Sequence, residues 1–522
     1  MKVFDTSNLN ERSMSVLNSD EASWVYNGLD CCVTAEVYNN LTGILEEEPE
    51  NVRATYEYAL DKLAPILEMS LRGTLIDKTA KTQSIVALEA DLARLDGRFQ
   101  RIMRVIMEQE DNPKYYFNWR SPLQLKNLFY GAMQIKEIKS RNAKGIYTAT
   151  VNREALESFQ AHNLYARPLA SFVLVLRDLH KQLGFLKTEL DEDHRMRTNY
   201  NLAGTNTGRL ASSMNDFGTG TNLQNVNRKL RYPFVADKGM YLVNVDLEQA
   251  DARNVGAICW NLFYESHGPE FAGAFLNACE SGDLHTQVCR MTWPELAWPE
   301  DESLWKKFCD SEIAHGQDSY RQLAKKLGHG TNYYGTPRTM AKHTHTASKI
   351  IEDFQNRYFT NFACIPAWHK EVIRSVESTG TITTLFGRRR IFFGRAKDAT
   401  THRKAIAYNP QSCTGEQIDR GLHQIWKHFP QLQLLNQVHD SILFQIPDSE
   451  KEELIPQILD KMQVTIELAG GRPFTVPLDA AGGWNWGYAS DDNPYGLKGW
   501  KGTETRTAPV YRNKKKRLKD YL

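Results

Sequence analysis

Between about residues 51 and 110 the apolar positions recur every three to four residues, in YEYALDKLAPILEMSLRG and then SIVALEADLARLDGRFQRIMRVIMEQE. That is the period of long amphipathic helices. Ser121 followed by Pro122 opens another helix over LQLKNLFYG, because serine accepts hydrogen bonds from first-turn amides and proline tolerates that turn. Two shorter helical patterns follow, near Asn152 to Phe159 and Pro168 to Lys181. From Tyr200 the pattern breaks: Gly204, Gly208, Gly218 and Gly220 crowd among Thr, Ser and Asn, and the stretch reads as loops and turns. Strand-like runs come at Tyr241 to Leu247 (YLVNVDL) and Leu434 to Ile446 (LLNQVHDSILFQI). Mostly helical pattern lies between them, with a glycine-flanked strand pair over Thr381 to Phe393.

Asp246 closes the first of those apolar strands. Asp440 sits between two apolar arms, so a tight hairpin would present His439, Asp440 and Ser441 at its tip. If both elements belong to one sheet, Asp246 and Asp440 can bridge two Mg²⁺ ions about 4 Å apart, one activating a hydroxyl and one neutralising a leaving pyrophosphate. Either aspartate alone is weak evidence, since a single Asp at a strand end reads first as a solubilising or turn residue. Arg321, Lys325, His329 and Tyr333 are spaced by four, and each such step turns about 40° on a helix, so all four share one slowly drifting face. That row of about 18 Å can run along a nucleoside triphosphate, with Arg321 and Lys325 toward phosphates and Tyr333 toward the base. A solvated basic helix with an aromatic tucked into the core accounts for the same spacing.

Charge changes this picture little: 64 Lys plus Arg against 63 Asp plus Glu is no basic excess of the kind that marks a polyphosphate-gripping protein. The eight cysteines contain no CxxC, which argues against a zinc knuckle or dithiol pair and fits a reducing setting. The apolar runs are short and the first residues lack a secretory core, so a soluble, cytoplasmic protein without membrane association is expected. The run Arg512 to Arg517 reads as an exposed tail, either solvated or in contact with phosphates.

Taken together, these segments resemble the family A DNA polymerases, the group of bacterial DNA polymerase I and several phage replicases. VDLEQADAR resembles the first catalytic motif, with Asp246 at the metal-binding aspartate and Asp251 where most members carry the glutamate that closes off the ribose 2′ position. RQLAKKLGHGTNYYG resembles the fingers helix. There Arg321 and Lys325 match the triphosphate-binding pair, Tyr333 matches the tyrosine at the insertion site, and His329 replaces the phenylalanine or tyrosine that packs on the incoming sugar. QVHDS resembles the last motif, with His439 near the primer terminus and Asp440 as second metal ligand, while Ser441 replaces an acidic residue. FNWRSPLQLKNLFY, TNTGRLASS, TNLQNV, GDLHTQV and LFGRRRIFF are similar to flanking segments, so the resemblance runs from about residue 51 to 487. It implies that Arg209, Asn222 and Gln224 contact the duplex near the primer end, and that Gln411, with Arg403 upstream, touches template.

The implied fold is α+β, a right-hand polymerase with an antiparallel palm sheet, helical fingers and a helical thumb. The implied boundaries are palm entry and thumb over 51–185, palm over 186–285 and 396–490, fingers over 286–395, and a basic tail over 491–522. Residues 1–50 form a remnant of a 3′–5′ exonuclease domain or a helical cap: Tyr26-Asn-Gly-Leu-Asp30 resembles that domain's last motif, but no Asp-x-Glu strand precedes it, and the chain is expected to begin inside that domain. The implied activity is template-directed DNA synthesis by a monomer with two Mg²⁺ ions, replaceable by Mn²⁺. Its partners would be primer-template DNA and dNTPs, with room for a separate exonuclease or processivity factor. A single-subunit RNA polymerase would share the two aspartates and the basic helix; Asp251 with the TGRLASS and TNLQN segments favours DNA synthesis. A catalytically dead scaffold would be expected to lose a metal aspartate, and both are present.

Overall fold

The computed structural model describes residues 17–142, 145–215, 218–314 and 318–509; the Arg512 to Arg517 run lies outside them. The first helix, α1 (Ser19–Glu47), starts on a reciprocal cap in which Asn18 Oδ1 accepts from the Glu21 amide and the Glu21 carboxylate accepts from the Asn18 amide, satisfying two of the free first-turn donors. Val25 is its one buried residue. Trp24, Tyr26, Val33, Val37, Tyr38, Leu41 and Ile44 are exposed along it, and an ion pair from Glu48 to Arg389 ties its C-terminal end to the body of the protein.

The predicted helix-rich stretch follows. Helix α2 (Lys78–Ile106) is capped by Asp77, which accepts from the Thr79 and Ala80 amides, and it packs on α3 (Arg167–Leu186). Between them Phe99, Met103, Leu128, Phe129, Leu156, Phe159 and Val173 form a core of their own. The Ser121–Pro122 start is present, with Ser121 accepting from the Gln124 amide. The expected single helix there spans only Pro122–Lys126 before it widens over Asn127–Ala132 into a turn with i→i+5 bonds, the kind of local expansion that re-aims side chains.

Strand β1 (Met240–Leu247) leads into α4 (Ala250–Glu280), which is bent at Gly268 (φ 79°) before Pro269. Then come α5 (Leu284–Thr292), α6 (Tyr320–Asn332), α7 (Cys364–Thr379) and α8 (Ala399–His428). The strand pair expected over Thr381 to Phe393 is shorter, Thr381–Thr383 against Arg389–Ile391. The chain returns to the sheet with β2 (Gln433–Val438), β3 (Ser441–Pro447), β4 (Leu478–Gly483) and the short β5 (Lys498–Gly499). The sheet order is β2-β3-β1-β4-β5, every neighbouring pair antiparallel, so the architecture is α+β.

Alternation along the strands decides which face each residue serves. Tyr241, Val243, Val245 and Leu247 of β1, with Ile442, Phe444 and Ile446 of β3, pack with Val255 and Ile258 of α4 and Ile418 and Leu422 of α8. Leu242 and Leu443 point the other way, into a layer with Leu223, Phe234 and Trp486. Asp246 shares the parity of Leu242 and therefore lies on the face turned away from α4 and α8. Beneath the sheet, Lys62 and Asp419 form an almost fully buried ion pair at 2.7 Å, and the buried Glu416 bridges Arg388 and Arg420. Among the described residues no helix is long and apolar enough to cross a membrane.

Candidate active site at the end of the palm sheet

Two backbone devices bring the acidic residues together. Strands β2 and β3 are joined by His439 and Asp440 alone, with His439 in the left-handed region (φ 57°), so the hairpin reverses within two residues. At the end of β1, Gln249 also takes a left-handed conformation (φ 53°) and turns the chain straight into α4. The Leu247 amide then donates to the Asp440 carbonyl at 3.1 Å and pins the hairpin tip to the end of β1. In this register Asp246 lies opposite Ser441 on one side and Asp479 of β4 on the other, and directly opposed residues share a sheet face. Ser441 turns its hydroxyl to the Val438 carbonyl (3.0 Å) and is not part of an acidic tip.

The electrostatics follow from this crowding. Burial, with Asp440 and Asp479 nearby, pushes the Asp246 carboxyl up to about 7, against the pull of Arg228 and Arg231. Burial also raises Asp440, with Asp251 adding to it, while its own backbone amide, Arg209 and His439 oppose the rise. Carboxylates brought together without a cation between them stay reluctant to ionise. A divalent ion bound by oxygen would relieve that repulsion, and an all-carboxylate donor set suits hard Mg²⁺ or Mn²⁺ rather than zinc. Among the described residues no three His, Cys, Asp or Glu side chains are grouped to enclose a metal by themselves.

Asp251, in the first turn of α4, is held by three donors: Tyr333 Oη at 2.8 Å, Thr414 Oγ1 at 2.6 Å and Arg209 Nη2 at 3.0 Å. Its shorter side chain therefore still reaches Tyr333. Arg209 also donates through Nε to the Gln411 carbonyl at 3.0 Å, so strand-side loop, α4, α6 and α8 meet at one carboxylate. Helix α6 begins at Ser319, which accepts from the Gln322 amide. It buries Leu323, Ala324, Leu327 and Gly328 and turns Lys325 and His329 outward. The His329 ring stands edge-on to Tyr333, with centroids 4.5 Å apart; the surrounding protein lowers its pKa, only partly offset by Asp251. Arg321 is bound in a two-point pair to Asp283 at the start of α5, Nε to Oδ2 at 2.7 Å and Nη2 to Oδ1 at 2.8 Å.

The remaining expected contacts divide. Asn222 accepts from Ser212 at 2.7 Å and lines a groove of about 600 Å³ between α3 and the loop ahead of β1, with Lys181, Asn225 and Asn227. Arg403 is exposed on α8. Gln224 is buried, its amide donating to Gln437 Oε1 at 2.9 Å, and Gln437 Nε2 donates to the His439 carbonyl at 2.7 Å, so Gln224 braces the hairpin from behind. On α1, Tyr26 and Asp30 are both exposed.

Sequence reasoning gave no role to Asp283, His285, Asp479 or Gln437. His285 follows the aspartate in GDLHTQV and is held to about 4 by burial and the cations of α6, Asp283 opposing. Nothing in the sequence singles out Asp479, because pairing partners cannot be read before register is known.

The profile described as DNA polymerase family A matches residues 87–295 and 300–488. The thermostable DNA polymerase I of Thermus filiformis is 24% identical over 436 residues, 79% of this chain and 45% of that protein. DNA polymerase I of Synechocystis is 24% identical over 502 residues, 89% of this chain and 45% of that protein. The chain thus spans about half the length of the curated relatives it matches. Among solved structures, the POL domain of Pol1 from M. smegmatis, in complex with DNA primer-template and dNTP, superposes with a TM-score of 0.62 at 20% identity, covering 82% of this chain and 70% of that one.

Proposed function

The chain belongs to DNA polymerase family A, and on that premise we propose that it extends a primer 3′-OH on a DNA template, with dNTPs as substrates and release of pyrophosphate. The observation that carries the reading is the meeting, at one sheet end, of Asp246 with the Asp440 hairpin, with α6, which exposes Lys325 and His329, tied to Asp251 at the start of α4 through Tyr333. Asp246 and Asp440 would hold two Mg²⁺ ions, which supply a lowered pKa at the attacking hydroxyl and charge neutralisation at the departing pyrophosphate.

The protein's own groups do the rest. Lys325 and Arg321 attract and orient the triphosphate, and their charge stabilises the pyrophosphate as it leaves. Tyr333, fixed by its bond to Asp251, bounds the space for the nascent base pair, and Asp251 crowds the 2′ position of the sugar. The groove lined by Lys181, Asn222 and Asn225 takes the duplex, with His439 at the primer end and Arg403 and Gln411 toward template. Residues 75–185 act as thumb, 286–395 as fingers, and 186–285 with 396–499 as palm, since β5 puts the start of the expected 491–522 tail into the sheet.

The test is primer extension with Mg²⁺ by wild type beside Asp440→Ala and Asp246→Ala. Each variant should lose extension by at least about 1,000-fold, some 4 kcal/mol, while primer-template affinity stays within a few-fold because grip is spread over many contacts. Extension within tenfold of wild type by either variant removes that aspartate from the reaction.

A further inference from the structure

Of the two edges by which the Arg321 guanidinium can take a pair of phosphate oxygens, the Nε/Nη2 edge is already filled by protein. Nε and Nη2 both donate to Asp283, and Nη1 lies 3.6 Å from Asp310. The Arg321 side chain is only 15% exposed, whereas Lys325, one turn on, is exposed and forms no ion pair among the described residues. Asp283 is the better anchored of the two partners. It begins α5, its carbonyl accepts from the Thr286 and Gln287 amides, and its carboxylate also accepts from the Thr286 hydroxyl. Burial would raise this carboxyl, but the bonds from Arg321 and Thr286 hold it down to about 2, so the negative charge is present at any working pH. Arg321, on a long flexible stem, is the group able to exchange partners.

We propose that Asp283 competes with the triphosphate of the incoming nucleotide for the paired-donor edge of Arg321, acting as a positioning residue that tunes nucleotide affinity and product release. The inference rests on the polymerase reading above. Two-point carboxylate and phosphate pairing use the same guanidinium geometry, so the two acceptors exclude each other at that edge. A dNTP gains the Nε/Nη2 edge of Arg321 only by breaking the Asp283 pair. After bond formation, Asp283 retakes the guanidinium and loosens the pyrophosphate. The carboxylate therefore weakens nucleotide binding and speeds release of the product.

The experiment measures the dissociation constant for dATP with Mg²⁺, and inhibition by pyrophosphate, on the primer-template complex of wild type, Asp283→Asn, Asp283→Ala, Arg321→Ala and the double variant Arg321→Ala/Asp283→Asn. Both Asp283 variants are made so that a folding defect in one leaves the other to decide. The expected result is dATP binding at least threefold tighter in Asp283→Asn, a parallel fall in the pyrophosphate inhibition constant, and no tightening in the double variant relative to Arg321→Ala. Unchanged or weaker dATP binding in the Asp283 variants overturns the competition and makes Asp283 a support that aligns Arg321. Tightening that persists in the double variant also overturns it, since the effect then does not pass through Arg321. Wild type that neither extends primer nor binds dATP defeats the polymerase reading instead, a result separable from either of these.

Discussion

At the residue scale the site combines groups that each carry a cost in isolation and are useful together. Asp246 and Asp440 are partly buried acids with raised pKa values, and Asp251 accepts hydrogen bonds from Tyr333, Thr414 and Arg209. His329 is the residue with the sharpest specificity consequence. It turns outward one helical turn beyond Lys325 and rests against Tyr333, and its ring carries an N–H donor in either neutral tautomer. Phenylalanine would keep the ring and lose the donor. Wild type should therefore accept dideoxynucleotides more readily than His329→Phe, with His329→Tyr at least as permissive as wild type. The measurement is the ratio of incorporation efficiencies for dNTP and ddNTP; a ratio in His329→Phe within twofold of wild type, about 0.4 kcal/mol, means no sugar contact is made.

At the scale of elements, close approach and buried hydrogen bonds set what can change. The two arms of α4 fold back on each other across Gly268, and a Cβ on Gly256 would lie 2.8 Å from the Leu276 Cα, with backbone rather than a movable side-chain tip in the way. Gly97, inside α2, has nothing within 4 Å of its added Cβ. Gly256→Val should thus cost upward of about 2 kcal/mol through overpacking, and Gly97→Ala should add about 0.5 to 1 kcal/mol through helix propensity. Urea midpoints that move in the same direction for both would contradict this packing.

Helix α7 holds the end of α6 through His369, whose Nε2 pairs with the Asn332 carbonyl at 2.9 Å. Burial lowers this histidine from 6.5 to about 4, the carbonyl opposing. The folded protein then binds fewer protons than the unfolded chain between those values, so stability is fully present above pH 6.5 and is lost as pH falls toward 4, by at most about 3 kcal/mol. His369→Gln should flatten the dependence of the urea midpoint on pH in that window; a slope equal to wild type assigns the acid sensitivity elsewhere.

At the scale of the whole molecule, a net charge of +1 conceals local asymmetry. Lys181, Arg228, Lys229, Arg403 and Lys404 are exposed on the segments that flank the carboxylates. If about four of them meet phosphates, primer-template affinity should fall on the order of 100-fold between about 50 and 200 mM salt. Fluorescence anisotropy with a labelled duplex reads this directly, and a change under threefold would place the duplex away from these cations.

The sequence by itself determined the kinds of elements and the chemistry they carry. Period-3.6 runs announced α2 and α3, two apolar runs announced β1 and the β2–β3 hairpin, and four-residue spacing put Arg321, Lys325 and His329 on one helix, because these features depend on neighbours in the chain. Tertiary structure alone decided what those side chains touch. That Asp479 lies opposite Asp246 depends on a register set by hydrogen bonding between strands more than 230 positions apart. That Arg321 is paired with Asp283, and that Gln224 supports Gln437 rather than standing free, depends on which helices and loops close around the sheet. A charged side chain declares its chemistry locally, but its partner is chosen by packing, and packing is a property of the folded whole.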